Sequence, residues 1–443
     1  MDLCYQHDIG ICWDRAGQYS SETVSSNKII EIFLSFKTLR ILYLQVPTII
    51  LLSSTPKHIL PLLVISQFAG TSLWFVGNAV LPELKQSFHL SQYAVSLVTS
   101  AVMLGFIAGT LVFAFFSLAD RFSPVKLFFI SSLLGALTNS AVVWFATGDS
   151  SLFTLRFLTG FFLAGIYPVG MKIAADWYEK GLGKALGYLL GALVLGTAFP
   201  HLLKNRDFEL PWKSVLYITS VIAIAGGSLM LLMGDGPFRK RSGGFRWDAI
   251  GKIFSSKKWR QAAFGYFGHM WEVYSFWGFV PLIIELYSQK NGTQLNIYLL
   301  SFISIAIGAV GSVIGGFLSG PIGSAKVAAY ALLISGICCF ISPFSYSFPS
   351  FIFILLLLVW GLTVVPDSPQ FSTLVAQYAP EELRGTALTI YNSIGFAITT
   401  ISLFVIDRLF HSSGFFGGQN TFALLGLGAL AGLPSTIRLI KNK

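Results

Sequence analysis

The sequence predicts an all-α membrane protein of twelve transmembrane helices, arranged as two pseudo-symmetric six-helix bundles. Three observations carry this. Of 443 residues, 54% are hydrophobic and 11% charged, with a mean hydropathy of +0.70, whereas a soluble domain carries about 25% charged residues. From residue 57 onward, twelve apolar runs are each long enough for a bilayer core of about 30 Å, which needs roughly 20 residues per helix. A single long polar connector, residues 235–260, divides the twelve into six and six.

In chain order, span 1 covers about 59–81 and holds Gln67, Trp74 and Asn78. Spans 2 and 3 cover about 92–117 and 125–146, and span 4, about 151–176, contains Arg156. Spans 5 and 6 cover about 182–203 and 214–234. The connector "DGPFRKRSGGFRWDAIGKIFSSKKWR" follows and reads as a basic amphipathic linker on the inner membrane face. Span 7, about 261–287, carries His269 and Glu272 within "GYFGHMWEVYSFWGFVPLII". Spans 8 and 9 cover about 294–320 and 325–345. Span 10, about 349–376, carries Asp367 and Gln370, and spans 11 and 12 cover about 384–408 and 415–438. These readings give a six-helix unit over 57–234, the linker over 235–260 and a second unit over 261–443.

Lys and Arg set the orientation. With both termini cytoplasmic, about nineteen of them fall in inside loops and about six in outside loops, the bias expected of a membrane protein. The net charge of +10 is therefore a topology signal, and no nucleic-acid partner is expected. Residues 1–56 fit the scheme poorly. Their apolar part, 29–53, includes Glu31, Lys37, Arg40 and Pro47, and is expected to be an extension or an interfacial segment, not a thirteenth span. Cys4, Cys12, Cys338 and Cys339 show no metal-ligand spacing. No phosphate loop or catalytic cluster is present, so neither an enzyme nor a cofactor is expected.

Two local motifs sharpen the fold. Between spans 2 and 3 stands "FFSLADRFSPVK", which resembles the loop signature Gly-x-Leu-Ala-Asp-Arg-x-Gly-Arg-Arg of the major facilitator superfamily. Leu118, Ala119, Asp120 and Arg121 match in order, while Phe116, Ser123 and Pro124 depart. A degenerate echo, "GFLSGPIGSAK", falls between spans 8 and 9, where a duplicated unit would put it. In span 4, "RFLTGFFLAGIYPVG" places Gly160, Ala164 and Pro168 at four-residue steps after Arg156, a face thin enough for close helix packing. The resemblance implies two halves that rock about a midplane site lined by spans 1, 4, 7 and 10. It also implies that Asp120 belongs to an ionic latch that stabilises the outward-open state and does not bind substrate, with Arg121, Lys172, Asp176 and Arg384 also at the cytoplasmic helix ends.

Intramembrane charge is costly and usually faces a cavity. The deep ionisable residues are Arg156, His269, Glu272 and Asp367, in spans 4, 7, 7 and 10. At 1.5 Å per residue, Glu272 lies about 16 Å and Asp367 about 13 Å from the cytoplasmic ends of their spans, with Arg156 about 8 Å from the outer face. His269 and Glu272, at i and i+3, share one side of the helix. Pro366 and Pro369 flank Asp367, so span 10 should bend and partly unwind there.

The expected substrate/proton-coupling set is Arg156, His269, Glu272, Asp367, Gln370, Asn78, Gln67, Trp74 and Tyr274. Arg156 would attract an anion. Glu272 or Asp367 would carry the proton and His269 would tune or relay it. A bracing role for Arg156 and a packing role for His269 are the bland alternatives.

The functional expectation is proton-coupled transport of a small organic or inorganic anion across the cytoplasmic membrane, by a monomer whose partners are solute, protons and lipid. "GHMWEVYSFWGFVP" and "PDSPQF" are loosely similar to bacterial nitrate/nitrite and cyanate permeases. The paired membrane arginines and the Gly-Asn-rich spans 5 and 11 of nitrate carriers are missing. Proton-driven efflux of hydrophobic compounds is the alternative, although span 5 lacks the Gly-Pro-x-x-Gly-Gly run of such exporters. A non-transporting sensor is a third.

Overall fold

A computed structural model describes residues 55–179, 181–205, 210–239 and 250–441. The expectation for residues 1–56 falls, save for the last two, outside the described residues, as does the middle of the linker. Among the described residues every regular element is helical. Ten helices are long and apolar enough to cross a membrane by length and composition. The other two crossings are span 1, which is broken into Ile59–Thr71, Val76–Ala79 and Leu81–Phe88, and span 7, Lys257–Asn291, which is aromatic and polar at its centre. Twelve crossings result among the described residues.

Local sequence explains where many of them start. Ser123 caps span 3, Pro124–Phe145, by accepting from the Lys126 amide, and Pro124 occupies the first helical position, where a missing N–H costs nothing. Ser256 caps span 7 through the Trp259 amide, and Asn296 caps span 8, Ile297–Ile322, through the Leu299 amide. Span 7 stops at Gly292, whose φ of 61° is the left-handed conformation that favours glycine.

Three of the four spans expected to line the site are interrupted in mid-course. Span 4 runs as Asp149–Leu163 and then Tyr167–Trp177, with Pro168 at the start of the second piece. Span 10 runs as Ser350–Thr363 and then Asp367–Tyr378, so the proline pair does unwind it where the sequence indicated. Span 1 breaks over residues 72–75 without any proline.

The duplicated architecture is visible in how the helices touch. A Cβ on Gly105 of span 2, Ala94–Phe115, would fall on the Phe157 carbonyl of span 4, and one on Gly160 would fall on the Val102 carbonyl. In the second half, a Cβ on Gly311 of span 8 would meet the Leu362 carbonyl, and one on Gly361 of span 10 the Ser304 carbonyl. Spans 2 and 4 thus meet backbone to backbone, and so do spans 8 and 10, six helices later. Glycine makes this approach possible, and it replaces the hydrophobic driving force that lipid cannot supply between helices. Large apolar side chains such as Trp144, Phe317 and Phe344 are exposed on the outside of the bundle, as a lipid-facing surface requires.

The two halves meet through spans 2 and 11, and through spans 5 and 8. Span 5 is Leu182–Leu203 and span 11 is Arg384–Phe410. Hydrogen bonds between halves cluster at the end away from the linker. There Asp407 accepts from the Ser96 amide at 2.9 Å, His411 Nε2 lies 3.0 Å from the Gln92 carbonyl, and Asn296 donates to Asn205 at 2.6 Å.

Candidate functional site

Span 1 opens at residues 72–75 and leaves backbone carbonyls without helical donors. Arg156, reaching across from span 4, fills that need. Its two terminal nitrogens donate to the Leu73 carbonyl at 3.0 Å, the Trp74 carbonyl at 2.6 Å and Asn139 Oδ1 of span 3 at 2.9 Å. Asn139 in turn donates to the Leu216 carbonyl, Thr219 and Ser220 of span 6, Trp212–Met230. A buried polar network therefore joins spans 1, 3, 4 and 6. Arg156 is 1% exposed, and no carboxylate lies within ion-pair distance of it among the described residues. Its hydrogen bonds are largely met by neutral acceptors while its charge stays uncompensated.

Span 7 presents His269 and Glu272 toward span 10, as their three-residue spacing requires, but to different partners. His269 Nδ1 lies 2.9 Å from Asp367 Oδ1, with side-chain exposures of 3% and 1%. The contact is close but poorly aligned for a hydrogen bond, and neither Asp367 oxygen meets a well-placed donor among the described residues. Asp367 is the first residue of the helix that resumes after the break, so the amide end of that helix faces its charge. Glu272 sits one turn further along span 7. It accepts from Trp360 Nε1 of span 10 at 2.7 Å and from Ser335 Oγ of span 9, Ser324–Ser345, at 3.0 Å. Trp360 lies before the break in span 10 and Asp367 after it, so the antiparallel spans set Trp360 against Glu272 and Asp367 against His269.

The remaining expected residues separate into two groups. Trp74 and Tyr274 face each other, ring centroids 5.9 Å apart and nearly parallel, and both touch Phe396 of span 11. Phe75, Phe106 and Trp277 complete a layer shared by spans 1, 2, 7 and 11. It belongs to both halves and is buried on all sides. Asn78 donates to Thr99 of span 2 at 2.7 Å. Gln67 is wholly buried against Gly170 of span 4, and Gln370 is buried one turn beyond Asp367.

Of the gating set, Lys172 bridges Asp120 at 3.0 Å and Asp176 at 3.6 Å, tying the loop between spans 2 and 3 to the end of span 4. Arg239, at the start of the linker, reinforces it by donating to the Asp120 and Phe122 carbonyls and pairing with Asp235 at 2.6 Å. Arg121 is exposed. Arg384 stands apart, paired loosely with Glu381 at 3.8 Å on the surface.

Sequence reasoning missed Asn139, Ser335 and Trp360. Each is a polar group deep in an apolar run, a signal that was readable but overshadowed by full charges. It also did not consider Asp407, near the end of span 11, which is 1% exposed.

Comparisons with known proteins bear on the family and the fold. Residues 63–403 match the sequence model of the Major Facilitator Superfamily. A stretch of 123 residues is 32% identical to the inner membrane metabolite transport protein YgcS of Escherichia coli K12, covering 28% of this chain and 26% of that protein. The match thus spans about a quarter of the relative's length. Among solved structures, a D-xylose–proton symporter superposes with a TM-score of 0.71, over 88% of this chain and 98% of the other, at 14% identity. The inward-open xylose transporter XylE from E. coli gives 0.67 over 87% and 95%, at 14% identity. A bacterial homologue of the human lysosomal transporter Spinster, inward-facing and occupied, gives 0.65 over 88% and 97%, at 13% identity. At these identities the structural likeness shows the fold alone.

Proposed function

The chain belongs to the Major Facilitator Superfamily, as a multi-pass membrane transporter and not an enzyme, and from that premise we propose that it is a proton-coupled carrier of a small anion. The observation that carries this reading is the buried His269–Asp367 pair beside the break in span 10. Holding one proton between them, imidazole and carboxyl are neutral overall. Holding two, they carry a single positive charge, which balances one incoming monoanion. The uncompensated guanidinium of Arg156, next to the break in span 1, adds a fixed field that favours negative cargo. Glu272, held by Trp360 and Ser335, is a second acid within electrostatic reach of Asp367.

The Lys and Arg distribution supports a cytoplasmic linker. The hydrogen bonds between the halves at the opposite end support reading this conformation as inward-facing. We read the transporter as a monomer with both termini in the cytoplasm of the cell whose inner membrane it occupies.

The test uses proteoliposomes with an imposed pH gradient. Asp367→Asn and His269→Gln should lose gradient-driven accumulation while still exchanging solute across the membrane at equal pH. If Asp367→Asn accumulates as the parent does, the pair does not carry the proton. A thermal-shift screen of small carboxylates, inorganic anions and hydrophobic dyes identifies the cargo. The layer around Trp74 and Tyr274 favours a second reading, a hydrophobic solute; stabilisation by dyes and not by anions would select it.

A further inference from the structure

Span 2 begins without a cap of its own: Tyr93, the residue before its first turn, makes no side-chain bond to the helix amides. The missing acceptor comes from the other half of the molecule. Asp407, in the last turns of span 11, accepts from the amide of Ser96, the third residue of span 2, at 2.9 Å. This is the bond that an N-cap side chain ordinarily makes, supplied across the boundary between the halves by a charged group at the positive end of a helix dipole. One turn on, His411 places Nε2 3.0 Å from the Gln92 carbonyl and sets its ring edge-on to Tyr93 at 5.5 Å. Arg408 also lies over the Tyr93 ring, 5.8 Å from its centroid.

We propose that Asp407 is the positioning residue that holds the two halves closed at the end away from the linker, and that each transport cycle breaks and remakes this borrowed cap. Opening that end strips span 2 of its cap and leaves Asp407 without the donor that justifies its burial. At the linker end, the ion pairs of Lys172 with Asp120 and Asp176 lie within the first half. The borrowed cap joins the two halves and favours the state closed at its end, so weakening it should tilt the population. The inference depends on the halves moving against each other and is independent of the solute carried.

The experiment is double electron–electron resonance on the full chain in lipid nanodiscs, with Cys4, Cys12, Cys338 and Cys339 replaced. One label pair, at Ser87→Cys and Ser413→Cys, reports the end away from the linker, where both positions are exposed. A second pair, at Gly183→Cys and Gly320→Cys, reports the linker end, where a Cβ meets nothing within 4 Å. In Asp407→Ala the first distance should lengthen while the second shortens, with the ratio of the two populations changing on the order of ten- to a hundredfold, as loss of a charge-assisted bond implies. Asp407→Asn, which keeps an acceptor but no charge, should fall between parent and Ala, and decides the matter if the Ala variant does not fold. Distances unchanged in both variants, or both pairs broadening together, would overturn the proposal. The first outcome means no latch; the second means a packing residue only.

Discussion

Arg156 offers a direct test of whether a buried cation braces the fold or merely colours the cavity. Replacing it with Ala strips donors from three acceptors: Asn139 Oδ1, the Leu73 carbonyl and the Trp74 carbonyl. Each buried acceptor left without a partner costs about 1–3 kcal/mol, so even the low end of the range amounts to about 3 kcal/mol before the cavity left by the side chain is counted. Two of the three acceptors are on span 1, so the loss falls where that helix is already interrupted. Arg156→Lys keeps the charge and room for one or two of the bonds, but not the planar fork that reaches three acceptors. Melting followed by size-exclusion fluorescence in detergent should rank parent above Lys above Ala, with little monodisperse Ala variant recovered. Asn139→Leu should lower melting less than Arg156→Ala, and the double variant should cost less than the two separate losses together, since both remove the same bond. An Ala variant that melts with the parent would refute the bracing role. If Lys matches Arg in melting but loses anion uptake, the guanidinium also serves the cargo.

Other outcomes follow from neighbouring contacts. Trp360→Phe keeps the ring stacked on Phe276, 4.4 Å away, but removes one of the donors to Glu272; stability should fall by the equivalent of one hydrogen bond, about 0.5–1.5 kcal/mol, with insertion intact by protease protection. Unchanged melting would mean that Glu272 does not depend on that bond. Gly105→Ala and Gly361→Ala should each sharply reduce folded yield, because the added methyl falls on a carbonyl of the partner span. Gly316→Ala, with nothing near its Cβ, should express like the parent; equal yields for all three would contradict the close-packed pairs. In transport assays Asp367→Asn separates accumulation from exchange as described above.

The membrane spans were legible because each must bury its backbone over a fixed thickness, and that leaves a run no mutation pattern can hide. The break in span 10 was legible for a similar reason: Pro366 and Pro369 remove donors whatever the surroundings. Span 1 was different. "AGTSLWFVGN" contains no proline, and its interruption is held open by Arg156 some eighty residues away, a tertiary cause that local sequence does not carry. The same limit applies to the acids. Spacing put His269 and Glu272 on one side of span 7, but which of them meets Asp367 depends on how spans 7 and 10 slide past each other. The structure gives Asp367 to His269, and gives Glu272 to an indole and a hydroxyl that the charge-based reading passed over.

The aromatic layer around Trp74, Tyr274 and Phe396 carries an electrical consequence. Six buried rings drawn from both halves pack into an apolar layer, and an apolar layer is an insulator. Where solvent reaches that layer from either side of the membrane, the voltage is compressed into it instead of being spread over the full bilayer thickness. Each net charge carried across then works against about 2.3 kcal/mol per 100 mV over a few ångströms. A cargo that crosses as anion plus proton carries no net charge and feels none of it, so its accumulation would follow the pH difference and ignore the potential.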